Sequence, residues 1–469
     1  MATAPLTPGP RRSLQLAARI TVKGTHWSSS SVLQPAASSF APHFVRVLRL
    51  LGLGAVGLSS VRSSARVSRK RSQDDKECSR VPGVASNGVP LVEVVKVSDE
   101  VGLGLVVPQG ATAGSLLIEE APLFHRPHGH SLADSVLAFN QMTEAKRKLL
   151  LSLAASPGVP EKEVGFEGDN LRFVRVLRTN SVAVRESAGS GGAVYAVSCR
   201  ANHSCKPNAA LCVQEDGTMH LKALRDLHPG EAVFVSYIGE GDLLRPRPHR
   251  QEQLGHWGFT CNCERCGAAE DTRGFRCSCG SGVMKYEASE VGPGHRWGPC
   301  NCCKAVLPEE TLLGTEELWQ EHVFSLRPER TKHLSQIALA MYDGLVDQAA
   351  ETESIVPALD GHWISAKLAR LAAEELIRQE RVQDARAAAQ LLRRYVRKTL
   401  GVAATRISAF ASYIEAAAAA VEGKEQEAQE LCQAALREAQ LLPRNGDQLS
   451  EKVGELQRSL VKQKELTMS

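Results

Sequence analysis

Eight of the thirteen cysteines crowd into Cys261-x-Cys263-x2-Cys266, Cys277-x-Cys279 and Cys300-x-Cys302-Cys303. Thiolates one to three residues apart converge readily on one tetrahedral ion, whereas two cysteines so close rarely reach disulfide geometry. The spacing therefore predicts zinc and a reducing compartment. Cys277, Cys279, Cys300 and Cys303 are expected to hold one ion in a knuckle over residues 275–305, with Cys302 competing for the last position. Cys261, Cys263 and Cys266 offer three sulfurs, one short of a closed structural site. On spacing alone, Cys266 could instead pair with Cys277 or another neighbour. Cys78, Cys199, Cys212 and Cys432 have no metal-like spacing and read as packing residues.

A chain of 469 residues has room for roughly three domains. Its formal charge of +4 is unevenly spread. Residues 1–73 hold 11 Lys/Arg and no acid, which leaves 45 basic against 52 acidic residues in the rest. The body therefore gives no electrostatic case for direct nucleic-acid binding. The basic character belongs to a leader over residues 1–85, expected to be a targeting segment or disordered. An acid-free, Ser/Arg-rich leader suits a plastid or mitochondrial address, with the cytoplasm or nucleus as the alternative. Arg69-Lys70-Arg71 suits a nuclear address, or simply a solvated charge run. The apolar stretch Leu50–Leu58 is far shorter than the ~20 residues of a membrane-spanning helix, so no span is expected.

Order is expected from about residue 88. Residues 91–97, 102–107 and 115–120 read as consecutive short strands, rich in Val, Leu and Ile and punctuated by glycines. Near residues 131–175 the apolar spacing becomes helical, with a break at Ser156-Pro157-Gly158. Strand signals return at 181–184, 193–197, 209–213, 219–223 and 232–237, and Glu215-Asp216-Gly217-Thr218 marks a hairpin turn. The fold class is α+β: short strands over residues 88–255 with a helical insertion, then the cysteine segments. Over residues 315–466, amphipathic helices separated by Gly361, Gly401 and Gly423 read as a TPR-like array or a plain helical bundle.

Asn202-His203-Ser204-Cys205-Lys206-Pro207-Asn208 is followed by Val235-Ser236-Tyr237-Ile238, and then by Trp257-Gly258-Phe259 with the cysteines 261–266. This order of motifs resembles a SET-domain methyltransferase of the SMYD type, over about residues 90–267. Val101-Gly102-Leu103-Gly104-Leu105 resembles that family's first SET motif, and Thr179-Asn180-Ser181 the strand opening its second half. The helical C-terminal region resembles the family's TPR-like tail. No cysteine lies between Cys78 and Cys199, so the MYND zinc module is expected to be lacking.

The resemblance implies a protein-lysine N-methyltransferase that uses S-adenosyl-L-methionine and one zinc ion, and the spacing of the later cysteines adds a second. It implies that Asn180 contacts the methionine portion of the cofactor and that Phe259 packs on its adenine. It also implies that Cys205 completes the zinc site of Cys261, Cys263 and Cys266 in the post-SET segment, residues 256–267. The residue chemistry agrees with these expectations. Methyl transfer is an in-line displacement that needs alignment and exclusion of water. Gly102, Leu103 and Gly104 permit close backbone approach, and Asn202 and His203 offer amide and imidazole hydrogen bonds for an adenosyl group. Tyr237 is the catalytic candidate, because a neutral phenol can orient an incoming amine. Ser181 and Trp257 are expected to line the substrate channel. Leu103 departs from the polar or basic residue frequent in the family, and Trp257 replaces its usual Tyr. The expected substrate is a protein lysine, histone or non-histone, and the helical domain is expected to bind protein partners. The alternative is a catalytically silent, zinc-stabilised SET-like interaction protein.

Overall fold

A computed structural model describes residues 91–98, 101–155, 165–186, 189–288, 295–325, 333–350, 361–401, 405–440 and 448–468. The leader, Cys78, Arg69-Lys70-Arg71 and the Ser156-Pro157-Gly158 break lie outside them.

Strands β1 (Glu93–Ser98) and β2 (Gly102–Val107), two of the short Val- and Leu-rich runs, pair antiparallel as a hairpin. They extend into a four-stranded sheet, β1-β2-β10-β7, with β10 at Glu231–Val235 and β7 at Asn202–His203. The β2–β10 pair is antiparallel, setting Val233 against Leu105, so the end of β10 that leads to Tyr237 lies at the Gly102 end of β2. The β10–β7 pair is parallel, with Asn202 opposite Phe234 and His203 opposite Val235. A parallel neighbour needs a crossover, and here it is β8 (Ala209–Val213) with β9 (Met219–Ala223). β9 lies between β8 and β3 (Leu116–Glu120) in a second sheet. Gln214 N–H donates to Thr218 O at 2.8 Å and Gly217 takes φ +83°, closing the predicted turn.

A third sheet joins β4 (Phe124–Arg126), β6 (Gly189–Val194) and β5 (Val182–Glu186) in that order. β6 ends before the expected 193–197 segment is complete. Glu120 carboxylate oxygens accept the N–H groups of Val197 and Ser198, both at 2.9 Å, and pull the chain out of the sheet. The insertion between β4 and β5 contains helices Leu132–Asn140, Glu144–Leu151 and Gly168–Asn180. Ser131 and Asp134 start the first as a reciprocal capping box. Phe139 stacks on Phe173 at 4.2 Å, and Phe124 meets Phe173 edge-on at 5.0 Å, which fixes the insertion to β4.

One expectation is corrected. Thr179 and Asn180 do not open a strand; they end the third helix, which runs past residue 175, and β5 begins only at Val182. Leu171, Val174 and Leu177 recur at helical spacing and are buried. Asn180 Nδ2 donates to Val176 O at 2.8 Å and to Ala154 O at 2.7 Å, holding the helix end closed. Tertiary burial outweighs the weak helix propensity of the valines.

After β10 come the short helices Glu240–Leu243, Arg247–Leu254 and Glu264–Gly267. A small antiparallel sheet follows, β11 (Gly274–Arg276), β12 (Val283–Ala288) and β13 (His295–Trp297). The remaining described residues form helices Glu309–Ser325, Leu334–Ala350, Trp363–Arg378, Val382–Leu400, Arg406–Val421, Glu425–Gln440 and Gln448–Met468. From Leu334 onward each packs on its neighbour in sequence, as the apolar stripes require. Helix Arg406–Val421 is buried along most of its length, because its run of alanines lets helices approach from several sides.

The array docks directly on the segment after Tyr237. Glu240 carboxylate oxygens accept the N–H groups of Arg406 and Ile407, both at 2.9 Å, while Thr405 caps Ser408. A carboxylate from the start of the short helix after β10 thus satisfies the first donors of helix Arg406–Val421, where the helix dipole favours it. Tyr395 Oη donates to Leu244 O at 2.6 Å. Cys205, Ile238, Leu243, Cys261 and Cys266 share one hydrophobic core with the helical array.

Candidate active site

The β2 and β7 motifs meet as expected. Gly102 has φ +79°, a conformation that side chains disfavour, and a Cβ at Gly104 would fall 2.6 Å from Val97 Cγ2 and 2.9 Å from Asn202 Nδ2. Asn202 Nδ2 donates to Leu103 O at 3.1 Å, fastening the two motifs across the sheet. The Leu103 side chain is exposed. Asn208 continues the lock. It accepts Phe234 N–H at 2.8 Å through Oδ1 and donates through Nδ2 to Ala232 O and Glu231 Oε1.

His203 is buried, and both of its ring nitrogens are engaged within the protein. Nδ1 accepts Tyr237 N–H at 3.1 Å, and Nε2 lies 3.3 Å from Cys205 Sγ. The imidazole therefore faces the Tyr237 backbone on one side and the Cys205 sulfur on the other. Burial, opposed by Cys263 and reinforced by Arg250, takes its pKa down to about 4, so the ring is neutral.

Tyr237 Oη donates to Ala201 O at 3.0 Å. Burial, with Cys199 adding to it, pushes the phenol up to about 12. Its ring lies 5.4 Å from Trp257, 6.3 Å from Phe259 and 5.4 Å from His203. Trp257 Nε1–H donates to Thr179 O at 3.0 Å, tying the segment after β10 to the helix end that carries Asn180. Asn180 commits its amide hydrogens to helix closure, and its carbonyl accepts the Cys199 thiol at 3.4 Å. Ser181 is exposed, its N–H held by Leu177 O. Cys199, Ala201 and Glu120 were not legible as supports of the site, because they act through backbone groups far away in sequence.

The cysteines separate into two groups of four among the described residues: Cys205, Cys261, Cys263 and Cys266, and Cys277, Cys279, Cys300 and Cys303. Within each group all sulfurs lie within 4.8 Å of one another. Zn–S bonds of ~2.3 Å in a tetrahedron require sulfurs about 3.8 Å apart. Cys205 and Cys266 sulfurs are 3.5 Å apart, Cys277 and Cys303 3.5 Å, and Cys279 and Cys300 3.8 Å. Soft donors at this spacing fit zinc. The thiols of the first group share hydrogens, and hydrogen bonding from Cys205 lowers Cys263 and takes Cys266 to about 6. Cys205 N–H donates to Cys263 Sγ at 3.4 Å, and Arg250 Nη2 approaches Cys266 Sγ at 3.8 Å. Cys266 and Cys277 fall in different groups, and Cys303 rather than Cys302 completes the second.

Gly282 lies against the second group, where a Cβ would run into Cys300 Sγ and come within 2.8 Å of Cys302 Cβ. Gly282→Ala is expected to weaken any metal binding by the second group, because backbone and sulfur cannot both yield around four converging thiols. Metal analysis of the purified variant checks this; undiminished binding would contradict it.

Residues 102–238 match the family model of the SET domain. The match takes in Gly102, Gly104, Asn180, the Asn202–Asn208 motif and Tyr237, and stops short of Trp257, Phe259 and the cysteines beyond. The chain thus carries a SET domain, and its relatives include SET-domain methyltransferases. It is 32% identical over 134 residues to the bovine (Bos taurus) N-lysine methyltransferase SMYD2, covering 27% of this chain and 30% of that one. It is 29% identical over 132 residues to a SET and MYND domain-containing protein of Dictyostelium discoideum, covering 25% and 38%. With a histone-lysine N-methyltransferase, SET5, of Yarrowia lipolytica, identity is 31% over 107 residues, or 23% and 22%. The chain thus spans about a third of the length of the curated relatives it matches. A crystal structure of the SET domain of LSMT with lysine and AdoHcy overlays with a TM-score of 0.26 at 13% identity, covering 77% of this chain and 94% of that one. No helix among the described residues is long and apolar enough to cross a membrane.

Proposed function

We propose that this protein is an S-adenosyl-L-methionine-dependent protein-lysine N-methyltransferase. The observation that carries the reading is Tyr237, held at its hydroxyl by Ala201 O and walled by Trp257, Phe259 and His203, at the Gly102 end of the SET motif strand. S-Adenosyl-L-methionine, when bound, supplies an electrophilic methyl group. The chain's own residues do the positioning. Gly102 and Gly104 admit its backbone-close groups, and Asn180, Asn202 and Phe259 surround it. Because the hydroxyl hydrogen of Tyr237 is given to Ala201 O, its lone pairs turn toward an incoming amine or the transferring methyl. With its pKa near 12 the phenol stays neutral and orients rather than accepts a proton. Trp257 and Phe259 exclude water, and desolvation favours the neutral, nucleophilic amine.

In this reading Cys205, Cys261, Cys263 and Cys266 hold one zinc that closes the post-SET segment over the site, and Cys277, Cys279, Cys300 and Cys303 hold a second. The helical array is TPR-like and engages the protein substrate. The acid-free leader addresses a plastid or mitochondrion.

Calorimetry of zinc-loaded protein with S-adenosyl-L-methionine, followed by a radiolabelled methyl assay on lysate, tests the proposal. Saturable binding and label recovered as methyl-lysine are expected. Absence of binding overturns the reading, and binding without transfer favours the silent interaction protein.

A further inference from the structure

We propose that His203 is a positioning residue that couples the four-cysteine cluster to the backbone of Tyr237. A backbone N–H can only donate, so the Tyr237 N–H at 3.1 Å requires an unprotonated Nδ1. The neutral ring then carries its hydrogen on Nε2, which points at Cys205 Sγ 3.3 Å away. Sulfur accepts that hydrogen. The tautomer is therefore set from both sides, by a donor at one nitrogen and a sulfur acceptor at the other.

A divalent cation on four thiolates leaves two surplus negative charges, and N–H donors around the sulfurs spread them. Among the described residues, donors that reach this cluster include His203 Nε2, the Cys205 backbone at Cys263 Sγ, and Arg250 Nη2 at Cys266 Sγ. His203 alone among them also touches the strand end of the candidate site. Ala201, two residues before it, accepts the Tyr237 hydroxyl. One short segment thus fixes Tyr237 at its backbone N–H and at its Oη. Without the sulfur contact at Nε2 the ring loses one of the two contacts that fix its orientation, and with it the alignment of Nδ1 to the Tyr237 N–H. The metal state of the cluster is in this way written into the placement of Tyr237. That functional consequence rests on the methyltransferase reading; the tautomer and the contact with sulfur do not.

The test uses the full, zinc-loaded chain. Nitrogen NMR of ¹⁵N-histidine protein is expected to show His203 with a pyrrole-type Nε2 and a pyridine-type Nδ1. The reverse tautomer, or a doubly protonated ring, overturns the proposal. His203→Phe keeps a ring and removes both nitrogens. It is expected to release zinc about tenfold faster to the chelator 4-(2-pyridylazo)resorcinol, and to lower kcat by about tenfold or more, the scale of losing a metal-ligand support. S-Adenosyl-L-methionine affinity by calorimetry and KM for the lysine substrate should change by less than about threefold, as for an effect confined to the transition state. Affinity for the cofactor lost with zinc release unchanged would assign the imidazole to the cofactor and sink the coupling. Should the variant fail to fold, the tautomer in the unsubstituted protein decides. Should the protein neither bind cofactor nor transfer methyl, the proposed function fails while the tautomer and zinc-release measurements still stand.

Discussion

Tyr237→Phe is expected to cut kcat for methyl transfer by roughly thirty- to eight-hundredfold, the scale of losing about 2–4 kcal/mol of preorganised transition-state stabilisation. The substitution removes one oxygen and little volume. The ring keeps its contacts with Trp257, Phe259 and His203, and the backbone N–H keeps its bond to His203 Nδ1. Only the Oη bond to Ala201 O is lost, about 1 kcal/mol of stability. Cofactor affinity and zinc content should therefore stay close to those of the unsubstituted protein. Steady-state kinetics with calorimetry on the same preparation separates the two effects, and transfer at the unsubstituted rate would remove Tyr237 from the mechanism.

The second large effect is expected from Cys205→Ser. Cys205 is fully buried between the Asn202–Asn208 motif and the post-SET loop, and its sulfur lies 3.5 Å from that of Cys266. A serine hydroxyl is a poor zinc ligand, and three thiolates cannot close the tetrahedron. Because a structural zinc contributes its binding free energy to folding, the loop carrying Trp257 and Phe259 should loosen with the metal. Expected are a fall from two zinc ions to about one per chain, faster proteolysis after residue 255, and loss of methyl transfer. Metal analysis, limited proteolysis and the transfer assay read these together. A variant with both ions and full activity would break the proposed link between metal, fold and catalysis. Gly282→Ala is the counterpart, since it should weaken binding at the other group.

Sequence by itself determined those features whose physics is local. Close cysteine spacing announced two thiol clusters, because ligands on one loop need no partner from elsewhere to be recognised. Short Val- and Leu-rich runs punctuated by glycines marked β1 and β2, turn chemistry marked Gly217, and helical periodicity marked the C-terminal array. The order of motifs along the chain pointed to the SET domain before any contact was known.

Tertiary structure alone decided what depends on partners far apart in the chain. Thr179 and Asn180 became the end of a helix because a buried core and the Ala154 carbonyl hold them there. The competition between Cys303 and Cys302, open on spacing, is settled for Cys303, whose sulfur groups with the other three. Glu240 reads as an ordinary surface acid, yet it caps a helix 166 residues away. The pattern of His203 suggests a group for the cofactor, whereas its two nitrogens are spent on Tyr237 and Cys205. A hydrogen bond depends on the direction of one donor toward one acceptor, and that direction exists only once the parallel pairing of β7 with β10 has brought the two segments together.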